Sequence, residues 1–374
     1  MVGTTSVVGQ KLDFHIDHLD PLGQGVYKND NKINFIAKTL PGESGVAKVL
    51  KSKKGVAFAT IEELAVTASN RIDVNCPHYA KCPGCDYLHT DYQSEISYKQ
   101  SALNKLLYQF MGVEQSIEVI KAPRRMAYRN RVQLHYKNSE IGFIDGLNDS
   151  LVEIPQCKIL CDELQPALKA LYEDKTWTES HRGVGHCELY LNKGEVNQSW
   201  NKPYASGGFS QVFDEMNQAL RESVARYFPI DGVFSLLDLF SGDGNLSNFV
   251  AAEKQVNRVM VDCLPLNTGN KHLEKQFFCI DLFAEGALKS FQRQCKIKNF
   301  DMLLVDPPRK GFSGLNDWVK KIRPEYLIYV SCNPATLARD LGNLDGNTVL
   351  DHLMLLDLFP GTHHFETVAF VSLK

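Results

Sequence analysis

No stretch of this chain holds an apolar run as long as a membrane span. The first residues lack the charged-then-apolar plan of a secretory signal. There is no internal repeat and no low-complexity tract. Charge of neither sign dominates, since 41 Lys and Arg stand against 44 Asp and Glu for a formal net charge of −3. Net charge alone therefore does not point to nucleic acid. These absences lead to the expectation of a cytoplasmic protein with no membrane partner. In that compartment the ten cysteines argue against a disulfide framework and for metal binding or catalysis at some of them.

The 374 residues suffice for two or three domains with real cores, and 44% hydrophobic with 23% charged residues is ordinary for a globular chain. Charge is uneven along it. Lys121, Arg124, Arg125, Arg129, Arg131 and Lys137 fall in one acid-free stretch interleaved with Tyr128, His135 and Tyr136; Lys48, Lys51, Lys53 and Lys54 form a second cluster. Basic stretches with aromatic neighbours suit phosphate backbones and stacked bases, and the plain alternative is a solvated face.

Residues 11 to about 68 read as five short strands, with Asp30-Asn31 as a hairpin turn and Pro41-Gly42-Glu43 as another. That pattern predicts a small OB-like barrel. Cys76-Pro-His-Tyr-Ala-Lys-Cys82-Pro-Gly-Cys85 follows, a strong metal signal that needs a fourth ligand, for which Cys157 and Cys161 are both available. The remote fourth thiolate leans toward an iron–sulfur cluster over zinc. Tyr92 to Gln109 reads as a helix with Ile96, Leu103, Leu106 and Leu107 on one face, and strands are expected at 131–136, 141–144 and 187–191 around a helix at 163–173.

From Phe213 onward helices and strands alternate, which predicts a doubly wound sheet. Gly242 and Gly244 sit in a loop after the strand 235–240, and Asp262 follows Gly242 by 20 residues, where an acid can accept from ribose hydroxyls. The glycine spacing is not a full G-x-G-x-x-G, so NAD fits less well than S-adenosylmethionine. Asp281 ends the next strand. Only 14 residues, 264–277, join those two strands, so the helix between them is expected to be short or missing.

Asp306-Pro-Pro-Arg309 follows a strand, and rigid prolines there shape a pocket for a planar base. Tyr326–Val330 is another strand, and Cys332 lies just past its carboxyl end, before Asn333-Pro334 and a helix at 335–341. A thiolate added to C6 of uracil makes C5 enolate-like, able to take an electrophilic methyl, and a base must then remove the C5 proton. Cys332 and Glu366 fit those two roles; the plain alternatives are a packed thiol and a strand-start carboxylate. Arg309 is a candidate source of a field that lowers the thiol pKa.

The two stretches Ser331-Cys-Asn-Pro-Ala-Thr-Leu-Ala-Arg-Asp340 and Phe359-Pro-Gly-Thr-His-His-Phe-Glu366, with Leu40-Pro-Gly-Glu43 and the cysteine spacing, resemble the RNA 5-methyluridine methyltransferases. The closer resemblance is to bacterial 23S rRNA (uracil-5-)-methyltransferases with a TRAM domain and a [4Fe-4S] cluster, and it covers nearly the whole chain. It implies a TRAM barrel at 1–68, a central α+β domain with the cluster and RNA contacts at 69–205, and a Rossmann-like class I methyltransferase domain at 206–374. It also implies Cys332 as nucleophile, Glu366 as base and Cys76, Cys82, Cys85 and Cys157 as cluster ligands. Gln211, Phe240, Gly242, Asp262, Asp281 and Asp306 would line the donor and uracil sites. The implied partner is 23S rRNA, bound by a monomer with no obligate protein partner. Two departures stand out: Gln211-Val-Phe213 replaces the usual Gln-x-Asn, and Pro83 replaces a glycine of Cys-Gly-Gly-Cys. Three rivals follow from the same residues: the T-loop uridine of tRNA as substrate, an RNA-binding or folding factor without catalysis, and methylation of an amino nitrogen, which would need no cysteine.

Overall fold

Alternating apolar residues build six strands at the N-terminus: β1 (Lys11–His15), β2 (His18–Leu19), β3 (Gly25–Asn29), β4 (Lys32–Ala37), β5 (Ser44–Lys53) and β6 (Val56–Val66). The computed structural model describes residues 7–29, 32–53, 55–147, 149–204, 211–228, 233–253, 256–265 and 276–373. It resolves into two compact units, one of Met1–Ala102, Pro123–Phe213 and Phe359–His363, the other of Leu103–Ala122, Asp214–Leu358 and His364–Lys374.

In the first unit the six strands run in the order β1-β5-β6-β4-β3-β2. The two ends of that ladder are separated in the chain only by Ile16 and Asp17. Ile16 N donates to Glu43 O (2.9 Å) and Asp17 N to Val26 O (3.2 Å), so the sheet curls back on itself. Phe14, Ile16, Ile36, Ala47 and Ala59 fill its interior. Among the described residues there are six strands, not the expected five, because the stretch 11–19 breaks into two where it changes partners. The hairpin turn expected at Asp30-Asn31 lies outside the described residues. Glu43, fully buried, accepts from Leu40 N (2.8 Å), Ala68 N (3.2 Å) and Arg71, which staples the 40–43 turn to the end of the barrel.

Helix α1 (Tyr92–Met111) follows, then β7 (Ile117–Ile120), which joins the second unit. The first unit continues with β8 (Arg131–Lys137), β9 (Glu140–Ile144), β10 (Leu151–Val152), α2 (Gln165–Glu173), α3 (Trp177–Ser180), β11 (Val184–Asn192) and β12 (Glu195–Trp200). The sheet order is β10-β9-β8-β11-β12. Leu134, Leu164, Leu168, Trp177 and Leu189 pack in its core.

The second unit holds α4 (Asp214–Ala225), β13 (Phe234–Leu239), α5 (Asn245–Glu253), β14 (Val256–Asp262), β15 (Phe277–Cys279), α6 (Ala287–Gln294), β16 (Met302–Val305), α7 (Leu315–Ile322), β17 (Tyr326–Ser331), α8 (Pro334–Gly342), β18 (Thr348–Leu356) and β19 (Glu366–Leu373). One eight-stranded sheet runs β15-β14-β13-β16-β17-β19-β18-β7. The strands from β13 to β17 pair in parallel, while β19 runs antiparallel between β17 and β18. All four residues of β16 are buried, as expected of a strand covered on both faces. Of the segment whose helix the spacing puts in question, 264–277, residues 266–275 lie outside the described residues. No helix among the described residues is long and apolar enough to cross a membrane.

Candidate active site

Two carboxyls and a thiol meet at one end of the second unit's sheet, and topology brings them there. Asp306 follows β16 and Cys332 follows β17, so both leave the sheet at its carboxyl end. Glu366 opens β19. That strand runs the other way, with Ser331 opposite Thr367 and Tyr326 opposite Ser372, so its start lies at the same end. Thr367 Oγ1 donates to Ser331 O (3.0 Å), locking the two strand ends together.

Electrostatics at this edge are dominated by desolvation. Burial, then the carboxylates of Glu366 and Asp306, push the Cys332 thiol up to about 12, and the Arg309 guanidinium opposes them. Glu366 is 4% exposed. Burial first, then Asp306, raise its carboxyl well above the usual range, again against Arg309. Its Oε2 is buried with no hydrogen-bond partner among the described residues. Burial also pushes Asp306 up to about 7. Of these three proton-holding groups, Cys332 and Glu366 share one neighbouring cation. A cluster of this kind exchanges protons rather than carrying full charge on every member.

The glycine loop lies two strands away, after β13. Gly242 (φ 51°) and Gly244 (φ 81°) both adopt left-handed backbone. A Cβ on Gly244 would sit 2.7 Å from Asn248 Nδ2. Gly242 N donates to Asp262 Oδ2 (2.8 Å) and Leu264 N to Asp262 Oδ1 (3.2 Å), so both oxygens of this acid already accept from backbone. Phe240 is itself left-handed (φ 61°) and lies between the rings of Phe283 (5.3 Å) and Phe312 (5.0 Å). Those two rings were not anticipated; Phe283, just past Asp281 at a strand end, was the available signal. Asp281 Oδ1 accepts from Phe283 N (2.9 Å). Gln211 belongs to the first unit, where its carbonyl accepts from Asn130 Nδ2 (3.1 Å).

The motif that ends in Glu366 is divided between the units. In the first unit, Gly361 O accepts from Asp86 N (2.8 Å) and Tyr87 N (2.9 Å), and Gly361 N donates to Glu95 Oε1 (2.7 Å). Tyr128 Oη donates to Pro360 O (3.1 Å), and His363 pairs with Asp86 (2.7 Å).

Asp86 directly follows Cys85. The thiols of Cys82, Cys85 and Cys157 are all raised by burial first. Cys157 adds to the shift at Cys82 and Cys85, and Cys76 adds to it at all three. Lys38 Nζ donates to Cys82 O (2.8 Å) and to Tyr79 O, tying the barrel to this loop. Cys161 instead packs into the central core, 7% exposed. Among the described residues no group of three or more His, Cys, Asp and Glu is arranged ready to hold a metal ion. The donor chemistry nevertheless fits a thiophilic metal group, because Cys82, Cys85 and Cys157, each raised by burial and by a neighbouring thiol, are relieved by coordination as thiolates, with Cys76 beside them as a fourth donor.

Two members of the basic stretch at 121–137 are internal rather than surface cations. Arg131, 2% exposed, pairs with Glu188 (2.7 Å), and Arg125 pairs with buried Glu95 (2.6 Å). Lys121, Arg124 and Lys137 remain exposed, as do Lys48, Lys51 and Lys53; Lys54 lies outside the described residues.

Comparison with known proteins places these features in context. Residues 287–374 match the family described as tRNA (Uracil-5-)-methyltransferase. The chain is 28% identical to a 23S rRNA (uracil(1939)-C(5))-methyltransferase RlmD of Shewanella halifaxensis, over 99% of this chain and 98% of the relative. It is 29% identical to a protein of the same name from Vibrio vulnificus, over 95% and 94%. Among solved structures, the Pyrococcus abyssi tRNA (uracil-54, C5)-methyltransferase in complex with S-adenosyl-L-homocysteine superposes with a TM-score of 0.70 at 22% identity, covering 96% of this chain and 99% of that one. That likeness is one of fold.

Proposed function

We propose that this chain is an S-adenosylmethionine-dependent RNA (uracil-5-)-methyltransferase that methylates C5 of a uridine in 23S rRNA. The observation that carries the reading is the meeting of Cys332, Glu366 and Asp306 at one end of the second unit's sheet, with Arg309 acting on Cys332 and Glu366. Full-length similarity to the 23S rRNA (uracil(1939)-C(5))-methyltransferases supports the substrate class.

Cys332 Sγ, as thiolate, adds to C6 of the uracil and makes C5 nucleophilic. The bound donor supplies an electrophilic sulfonium methyl. After C5 takes the methyl, Glu366 accepts the C5 proton, the C5–C6 double bond re-forms, and Cys332 departs as thiolate. The balance is one methyl to C5 and one proton to Glu366. Before that step Glu366 must be ionised, and the thiol proton of Cys332 must leave. Asp306, with a proton affinity near neutrality, lines the uracil site as a group able either to donate or to accept. Gly242, Asp262, Phe240 and Asp281 line the donor site, and Gln211 is a donor-site residue by the family resemblance alone. Chemistry at C5 and C6 needs the base out of its stack.

In this reading residues 1–68 form a TRAM barrel, 69–205 a central RNA-contacting domain and 206–374 the catalytic domain, and the protein acts as a cytoplasmic monomer. Cys76, Cys82, Cys85 and Cys157 hold a [4Fe-4S] cluster. Methyl transfer to C5 is redox-neutral, so the cluster's part is to cross-link the loop that ends at Asp86 and Tyr87.

The test is methyl transfer from labelled S-adenosylmethionine to unmodified 23S rRNA and, separately, to unmodified tRNA, with the labelled nucleoside identified. 5-Methyluridine in the rRNA supports the proposal. The same product only in tRNA replaces the substrate, and RNA binding without transfer to either removes the enzymatic reading.

A further inference from the structure

Strand β17 and the loop after β16 are joined by more than their ladder. Asp340 lies on α8, its side chain fully buried. Its Oδ2 accepts from Tyr329 Oη (2.7 Å) and Phe312 N (2.6 Å), and its Oδ1 accepts from Arg339 Nε (2.8 Å) and Nη2 (2.6 Å). Four donors use the four acceptor sites of a carboxylate. The same Arg339 Nη2 donates to Lys310 O (3.0 Å).

Asn333, the neighbour of Cys332, works in parallel. Its Oδ1 caps α8 by accepting from Ala335 N (3.2 Å), while its Nδ2 donates to Arg309 O (2.8 Å). Only glycine fits where the two segments are closest: a Cβ on Gly311 (φ 72°) would lie 2.5 Å from Asp340 Oδ2 and 2.6 Å from Arg339 Nη2. The loop 306–312 is thus gripped at Arg309, Lys310 and Phe312 by side chains from the helix that begins beside the nucleophile.

We propose that Asn333, Arg339 and Asp340 are positioning residues that hold the 306–312 loop, and with it Arg309 and Asp306, in place against Cys332. This deepens the proposed function and rests on its assignment of Cys332 as the working thiol. Arg309 is the cation acting on both Cys332 and Glu366. A loop released at residue 309 would let that charge drift and would leave the thiol harder to ionise.

The decisive variant is Asn333→Ser. Serine caps a helix about as well as asparagine, so the helix start is retained while the short Asn333 bond to Arg309 O is lost, leaving there the long one from Thr336 Oγ1 (3.5 Å). Two readouts are needed. The first is the pH dependence of Cys332 alkylation by iodoacetamide, followed by mass spectrometry of the Cys332 peptide, which needs neither RNA nor donor. The second is the split of kcat from KM for methyl transfer. The clamp predicts that the rate of Cys332 alkylation at any one pH, measured against the exposed Cys263, falls by about tenfold. It also predicts that kcat falls by about tenfold with KM for the donor within about twofold, as for an interaction expressed in the chemical step. The melting temperature should change little. Arg339→Lys keeps the charge but loses the fork, and should behave the same way. An Asn333→Ser protein with the wild-type alkylation profile and kcat overturns the proposal, and so does a loss of kcat matched by a fall in melting temperature with no movement of the profile. Wild-type protein that transfers no methyl to any RNA, yet shows the alkylation shift in the variant, would instead remove the functional reading and leave the clamp standing.

Discussion

Gly242 donates its backbone N–H to Asp262 Oδ2 across 2.8 Å, so the acid at the end of β14 holds the glycine loop that follows β13. Asp262→Ala removes this tether along with any acceptor for the donor's ribose. The expected result is a KM for S-adenosylmethionine raised by about tenfold or more, from the loss of a charge-assisted hydrogen bond. Binding of unmodified RNA in a filter assay should be unchanged.

Glu366→Gln replaces a buried, proton-retaining carboxyl with a neutral group of the same shape. Stability at neutral pH should therefore hold. Methylated uracil should stay bonded to Cys332, since nothing takes the C5 proton. Turnover should fall by about 10²–10⁴-fold, as for loss of a general base. A protein–RNA band that survives denaturing electrophoresis and carries the labelled methyl is the expected observation. Cys332→Ala should abolish both band and product.

A thiol pushed up to about 12 is almost wholly protonated at pH 8, so Cys332 in the RNA-free protein should react slowly. The exposed Cys263 and Cys279 should be alkylated well before it. Reaction at Cys332 should rise with pH up to the limit of stability. Arg309→Ala should move that rise further upward, because the guanidinium is the group that opposes the shift.

His89 is fully buried, and burial lowers its imidazole from the ordinary 6.5 to about 4. Its Nδ1 faces Tyr79 Oη at 2.6 Å. The unfolded chain takes up this proton near pH 6.5 while the folded one does not until about 4. Stability is therefore lost as pH falls through that window, by roughly 3 kcal/mol in all. His89→Asn, which can keep a partner for Tyr79, should flatten the acid limb of a melting-temperature profile between pH 7.5 and 4.5.

If the four thiols hold an iron–sulfur cluster, protein purified without oxygen should be brown, with broad visible absorbance, and Cys157→Ala should lose it. Bleaching by chelator or oxidant should lower the melting temperature and raise susceptibility to proteolysis around 76–87. Colourless protein containing zinc would replace the cluster with a structural zinc site.

Much of the candidate site was legible because strand ends, proline punctuation and short motifs are local signals. Asp306, Cys332 and Glu366 were each placed at a strand boundary, and the boundaries shifted by only a residue or so. What the sequence hid depends on distant partners. Arg125 and Arg131 read as surface cations because Glu95 and Glu188, which bury them, are far along the chain. The break at Ile16-Asp17 depends on Glu43 and Val26 as partners, not on local propensity. Asn333 read only as turn punctuation, and its bond to Arg309 O needed the fold.

Among the described residues strand β7 pairs with β18 alone, Ile117 standing opposite Leu353, a separation of 353 − 117 = 236 residues. Closing a loop of that length costs about 5 kcal/mol of chain entropy beyond a constant, unless structure formed in between shortens it. During synthesis β7 emerges after the barrel strands and therefore waits as an unpaired strand while the central sheet and the chain up to β18 are made. Its apolar residues are interrupted by Glu118 and followed by Lys121, charges suited to keeping such an edge from pairing with other chains. Refolding from denaturant should show its slow phase in this last closure, with protection of the β7 amides appearing after that of the central sheet.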